Sequence, residues 1–324
     1  MDTLNNIMEA VGNTPLIRMN RLAKGLKPTM LMKAEFLNPG GSTKDRVGIK
    51  LVTEALKTGE LKPGGTVVEP TSGNTGVGIA IAASQLGLKA IFTMPDKVSR
   101  EKEDLLRAYG AEVIRCPTAV EADDPRSYYE VAKRLVRETP GAYSPNQYAN
   151  QNNPRVHYEE TGPEIWKATQ GRITHFVAGM GTGGTISGIA RYLKEMNPHI
   201  KIIGGDPEGS LYHHTFHKTE GKIHTYKIEG VGEDFMPDTM DLSLVDDVIM
   251  VTDREAYDMA RRVAMEETIL VGSSGGLAVF TALKVAEKLD EDDVVVTLLP
   301  DTGRNYISTV FNDDWMLKND LMQD

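Results

Sequence analysis

The chain has 324 residues, 40% hydrophobic and 25% charged, which is ordinary for a globular protein and enough for two lobes. A formal net charge of -10 argues against nucleic acid or an anionic membrane as partner, since phosphate polyanions are repelled where no basic patch intervenes. No apolar run is long enough to span a bilayer, and the N-terminus lacks the basic region and apolar core of a signal peptide; a cytoplasmic protein is expected. The single cysteine, Cys116, excludes an intrachain disulfide and reads as a buried thiol.

A strand-like run at 29–34 leads to Gly40-Gly41-Ser42-Thr43-Lys44-Asp45-Arg46, which opens a helix running toward Leu56. The positive end of a helix dipole disfavours a cation, so a sheltered Lys44 favours the neutral, nucleophilic amine that Schiff-base chemistry requires. The opposing reading, one more solvated lysine, stands level with it on this motif alone. From 66 onward, short β-branched runs alternate with helical patterns: strands near 66–69, 89–94 and 111–116, helices near 77–86, 99–109 and 127–138, with Ser99 a candidate N-cap and Gly110 a candidate stop. This alternation predicts parallel strands with helical crossovers, an α/β fold. Between the first strand and helix of the series lies Thr71-Ser72-Gly73-Asn74-Thr75-Gly76. Its hydroxyls, amide and backbone N–H groups offer more than a capping turn needs, and suit a carboxylate.

The Asn-, Gln- and Pro-rich segment 144–154 is the expected crossing between lobes. Beyond a helix near 163–169, a strand at 173–179 runs into Gly181-Thr182-Gly183-Gly184-Thr185 and a second helical pattern. Strand, glycine loop and helix together make a phosphate cradle. Gly179, Gly181 and Gly184 also satisfy the dinucleotide fingerprint, with Asp206 roughly 20 residues on in the position of a ribose ligand, so a nicotinamide-dependent oxidoreductase stays open here. Residues 208–226 read as a surface loop; His213, His214, His217 and His224 lie in it without a carboxylate or cysteine cluster, and no metal site is assigned. A final strand ends at Leu299, and Pro300-Asp301-Thr302-Gly303-Arg304-Asn305 follows at the carboxyl edge where open α/β sheets bind ligands. Thr302 can contact a ring nitrogen without protonating it; Asp301 would do the opposite.

These motifs in combination resemble the fold-type II pyridoxal-phosphate enzymes of β-replacement, the cysteine synthases and cystathionine β-synthases. The resemblance runs from Gly12-Asn13-Thr14-Pro15-Leu16 to Asp314-Trp315-Met316-Leu317. It implies two lobes, each built on a mostly parallel sheet flanked by helices as in the tryptophan synthase β fold. The smaller, mobile substrate-carboxylate domain is 40–147, and the larger cofactor-phosphate domain is 1–39 with 148–324. It implies that Lys44 holds pyridoxal 5'-phosphate, that Gly181, Thr182, Gly183, Gly184 and Thr185 bind its phosphate, that Asn74 bonds its ring hydroxyl, and that Thr302 meets its ring nitrogen, leaving Asp301 a decoy. Thr71, Ser72, Asn74 and Thr75 become the substrate-carboxylate loop, with Gln147 and Tyr148 beside it.

Asn146-Gln147-Tyr148, Asp206-Pro207-Glu208-Gly209-Ser210 and Glu229-Gly230-Val231-Gly232-Glu233-Asp234-Phe235 bring the resemblance nearest to the cystathionine β-synthase core. Gly232 and Glu233 would then face the second substrate, with Glu233 standing where animal enzymes typically have tyrosine. The implied reaction joins a serine-like amino acid (L-serine, O-acetylserine or L-cysteine) to a thiol or sulfide. Cysteine synthesis from O-acetylserine and sulfide-releasing replacement of cysteine are the neighbouring alternatives. A homodimer is implied; haem and adenosyl-nucleotide regulation are not carried over.

Overall fold

The computed structural model describes residues 3–71, 73–96, 98, 100–121 and 123–322. The chain runs through β1 (Leu16–Arg18), β2 (Thr29–Ala34), α1 (Lys44–Thr58), β3 (Thr66–Pro70), α2 (Asn74–Gln85), β4 (Lys89–Pro95), α3 (Arg100–Ala108), β5 (Glu112–Cys116), α4 (Tyr128–Glu138) and β6 (Ala142–Tyr143). Next, α5 (Asn152–Val156) continues through a π-helical turn (His157–Thr161) into α6 (Gly162–Ala168). The remainder is β7 (His175–Gly179), α7 (Gly184–Met196), β8 (Lys201–Pro207), α8 (Tyr212–His217), β9 (Asp247–Val251), α9 (Asp253–Glu267), α10 (Ser273–Ala286), β10 (Val294–Leu299) and α11 (Asp313–Lys318). The strand-then-helix rhythm expected of an α/β fold is present throughout.

Local chemistry sets several boundaries. Ser127 begins α4 by accepting the Glu130 N–H on its hydroxyl at 3.2 Å, and Thr252 with Glu255 forms a full capping box at α9. Ser99, the candidate N-cap of α3, lies outside the described residues. The segment 208–226, expected to be a surface loop, instead contains α8. Its Tyr212 is fully buried, and the Tyr212 hydroxyl donates to the Gly181 carbonyl at 2.6 Å. Composition hid this anchor because histidines, lysines and threonines dominate the segment around Leu211, Tyr212 and Phe216.

The chain divides into two compact units, Met1–Val11 with Asn38–Asn152, and Gly12–Leu37 with Asn153–Asp324. In the first, four parallel strands lie in the order β5-β4-β3-β6. The chain steps from β3 outward to β5, then returns to the far side of β3. The strand order therefore reverses between β3 and β6, and the carboxyl ends of those strands flank the crevice where such sheets bind ligands.

The second unit repeats this logic with the order β1-β2-β10-β7-β8-β9, parallel except for β1 against β2. Strands β7, β8 and β9 step outward, and β10 returns to the other side of β7. A second switch point lies between β10 and β7. Helices cover both faces of this sheet, and the period of two along β10 shows it: Val295 and Leu299 pack into one core, Val296 and Leu298 into the other.

Candidate active site

In the first unit, α1 begins at Lys44. The Ser42 hydroxyl accepts the Lys44 N–H at 3.1 Å, and the Asp45 carboxylate reaches back to accept the Gly40 N–H at 2.6 Å. The first bond satisfies an orphan donor of the helix start, and the second ties the preceding glycine turn to it. Helix α1 packs closely on α2, and a Cβ at Gly78 would overlap the Lys44 carbonyl oxygen. The backbone of Lys44 is thus seated on α2, whose own first residue is Asn74. Thr71 and Thr75 are buried beside that start, and the Thr75 hydroxyl donates to Gln147 Oε1 at 2.7 Å. Thr71 and Thr75 follow β3, while Gln147 and Tyr148 follow β6, so these residues meet at the first switch point. Ser72 lies outside the described residues.

One residue here was missed. Glu69, near the end of β3, is 2% exposed and accepts from Asn146 N–H at 3.1 Å, Gln147 N–H at 3.3 Å and the Ser144 hydroxyl at 3.3 Å. Burial pushes its carboxyl up to about 7, against the pull of these donors. Its sequence signal was a lone acid in the otherwise apolar run Thr66-Val67-Val68-Glu69, which a buried central strand tolerates only with partners.

In the second unit, the glycine loop leaves β7 and enters α7. Four successive carbonyls are tied off: Met180 O by Gly232 N–H at 2.6 Å, Gly181 O by the Tyr212 hydroxyl, Thr182 O by the Thr239 hydroxyl at 2.5 Å, and Gly183 O by Ser187 N–H at 2.9 Å. With its acceptors turned away, the loop is left to present N–H groups. Gly183 makes the required left-handed turn, φ 86°, and the unbonded first-turn amides of the 13-residue α7 follow. This donor-only concavity at a helix N-terminus fits a phosphate monoester.

Buried side chains brace the loop. Asn153 Nδ2 donates to Thr182 Oγ1 at 3.0 Å, and His157, on the π-helical turn, bonds Thr185 Oγ1 through Nε2 at 3.1 Å and Thr161 Oγ1 through Nδ1 at 2.9 Å. Thr302 follows β10 at the same edge, beside the loop's own strand. Its neighbour Asp301 is 2% exposed and accepts from the Tyr306 hydroxyl at 2.6 Å. The second switch point therefore carries the cradle and a hydroxyl, with the adjacent acid engaged elsewhere.

Asp206 is fully buried; its Oδ2 accepts the His213 N–H at 2.8 Å at the start of α8, and burial pushes its carboxyl up to about 6. Held this way it is no ribose ligand, which removes the support for the nicotinamide alternative. Gly232 and Glu233 lie in the loop that ties off Met180, and the Glu233 backbone is fixed to Ser210: its N–H donates to Ser210 Oγ at 3.0 Å. Among the other histidines, His214 bonds the Thr219 hydroxyl and His217 the Val248 carbonyl; no cluster of three or more His, Cys, Asp or Glu able to hold a metal occurs among the described residues. No helix among them is long and apolar enough to cross a membrane.

The model of the family described as "Pyridoxal-phosphate dependent enzyme" matches residues 7–301. Cystathionine beta-synthase of Oryctolagus cuniculus is 44% identical over 323 residues, 99% of this chain, but this chain spans only 59% of that relative's length. The O-acetylserine dependent cystathionine beta-synthase of Bacillus subtilis (strain 168) is 41% identical over 308 residues, covering 95% of this chain and 97% of the relative. Among solved structures, a hydrogen sulfide-producing enzyme from Fusobacterium nucleatum superposes with a TM-score of 0.87 at 36% identity, over 94% of this chain and 98% of that one. The two mostly parallel sheets and the glycine loop with its tied-off carbonyls, taken with these matches, establish that the chain belongs to the family of pyridoxal-phosphate dependent enzymes.

Proposed function

We propose that the protein catalyses β-replacement in sulfur amino-acid metabolism, of the cystathionine β-synthase type, on L-serine, O-acetylserine or L-cysteine with a thiol or sulfide. The observation that carries this reading is the second switch point: a donor-only phosphate cradle beside Thr302, while Asp301 is taken up by Tyr306. A hydroxyl rather than a carboxylate at the ring nitrogen leaves that nitrogen unprotonated. Such a ring is a weaker electron sink, suited to elimination and addition more than to long-lived carbanions. Bound pyridoxal phosphate supplies the sink that acidifies the Cα hydrogen of an amino acid.

Lys44 is assigned cofactor attachment and, once its amine is freed, removal and return of the Cα proton. Gly181, Thr182, Gly183, Gly184 and Thr185 hold the phosphate, and Asn74 the ring hydroxyl. Thr71, Ser72, Asn74, Thr75 and Gln147, with Tyr148, receive the substrate carboxylate, and the domain at 40–147 closes on it. We also assign a homodimer in the cytoplasm.

Gly232 and Glu233 are assigned to the second substrate. A carboxylate at 233 recognises an acceptor carrying an ammonium group and has nothing to grip in sulfide, so Glu233 favours an amino-acid thiol. The Bacillus relative's name favours O-acetylserine as donor, and the Fusobacterium neighbour's favours a reaction that releases sulfide.

Mass spectrometry of products from a matrix of these three donors with homocysteine, cysteine and sulfide decides among them. Glu233→Gln is expected to lower kcat/KM for amino-acid thiols by roughly 10-fold or more, the loss of one charge-assisted hydrogen bond, while leaving sulfide addition within about twofold. An equal fall for sulfide would contradict the assignment of Glu233. Absence of a replacement product from every pair would contradict the reaction.

A further inference from the structure

The first switch point depends on a group that touches no ligand in the reading above. Strand β3 is central in its sheet, and Glu69 is its one carboxylate. Both of its oxygens are used: Oε2 by the Ser144 hydroxyl and the Asn146 N–H, Oε1 by the Gln147 N–H. Asn146 is held in the left-handed region, φ 47°, at the bend that turns Gln147 back toward α2. Asparagine is one of the few non-glycine residues that adopts this region readily, so the tight bend is open to it. Asn150 fastens the other side of the bend, donating to Pro145 O and to the Tyr143 hydroxyl, each at 3.1 Å.

We propose that Glu69 is a positioning residue for the amino-acid substrate's carboxylate: ionised, it pins the backbone of Asn146 and Gln147 and thereby fixes the Gln147 side chain against Thr75. The inference rests on Thr75 and Gln147 being carboxylate ligands. The ionised form accepts most strongly from all three donors, and a proton on either oxygen removes the charge that strengthens those bonds and occupies one acceptor site, which loosens the pin.

The surroundings leave Glu69 to titrate on its own. Tyr143 on β6 faces it, itself pushed up to about 12, with Glu60 behind. Strand β4 carries only Lys89, exposed at its far end, and α2 carries no titratable group. Helix α4 carries Tyr128, Tyr129, Glu130, Lys133, Arg134, Arg137 and Glu138, none of which enters the balance on Glu69, set by burial against the three donors. The sign follows. Folding favours the protonated form, so stability falls as pH rises from 4.5 to about 7, whereas the pin forms only around pH 7, at the upper end of that interval and just above it. Substrate binding gains as the last of that stability is lost.

Two measurements on the holoenzyme test this. In amide NMR spectra, the Asn146 and Gln147 signals are expected to titrate together with a midpoint near 7. In steady-state assays with L-serine, O-acetylserine and L-cysteine, the donor KM is expected to rise about 10-fold from pH 8 to pH 6, the ratio of ionised fractions, with a smaller change in kcat.

Ser144→Ala, which removes one donor to the ionised form and touches no substrate, is expected to move both the NMR midpoint and the KM limb to higher pH. Glu69→Gln is expected to raise KM at pH 8 by about 10-fold or more and to abolish the neutral limb. A wild-type KM that is flat from pH 6 to 8, or a Ser144→Ala limb that does not move, overturns the inference. A protein that turns over no donor yet shows the amide titration upholds the pin and overturns the reaction reading alone.

Discussion

Lys44→Ala is expected to lower kcat/KM for β-replacement by at least ~10³-fold, within the range that removal of a general acid-base group costs, with the loss of covalent attachment in addition. The fold is expected to survive. Two main-chain contacts of Lys44 seat α1: its N–H donates to the Ser42 hydroxyl, and its carbonyl rests on Gly78 of α2. Alanine keeps both and is a better helix former at the first turn of α1. Steady-state rates with each donor, beside a thermal melt, check the pair of expectations. A variant that keeps more than a tenth of its activity would remove Lys44 from the chemistry.

Gly184→Ala is expected to cost the protein its cofactor. A Cβ at 184 would overlap the Asn153 side chain, which is fully buried and cannot swing out to solvent. Asn153 is also the donor that braces Thr182, so relief of the overlap deforms the loop whose amides face the phosphate. Losing two charge-assisted hydrogen bonds at about 1.5 kcal/mol each or more predicts at least a ~100-fold weaker hold on pyridoxal phosphate, and the overpacking costs about 1–3 kcal/mol of stability. Cofactor content of the purified variant and its reconstitution isotherm measure the first, denaturant unfolding the second. The double variant with Asn153→Ala is expected to recover part of the stability, since the overlap is gone. A Gly184→Ala protein that retains full cofactor would show that α7 does not form the phosphate site.

Much of this site was legible because its residues are punctuation. Glycines and hydroxyls crowded between a β-branched run and a helical pattern mark a strand-to-helix turn, and three such turns carry Lys44, Asn74 and the phosphate loop. The choice of Thr302 over Asp301 was legible only through the family resemblance; its physical support, the Tyr306 hydroxyl on Asp301, comes from five residues away and is invisible in spacing. Strand order was not legible either. Periodicity identifies strands but not their neighbours, and both switch points arise because β6 and β10 return across their sheets.

The supporting residues were hidden for a related reason. Glu69, Asn153 and His157 act through partners 28 to 78 positions away; Glu69 stands in a run whose pattern says only strand, and Asn153 in the polar segment that reads only as a crossing between lobes. The loop expected at 208–226 failed where long-range packing overrode composition, with Tyr212 drawn inward by the carbonyl of Gly181.

The most direct measurement is borohydride reduction of the purified yellow enzyme, followed by proteolysis and mass spectrometry of the lysine peptides. The account predicts loss of colour and a phosphopyridoxyl mass on Lys44 alone. The label on any other lysine, or none on a protein that retains full β-replacement activity, would contradict it.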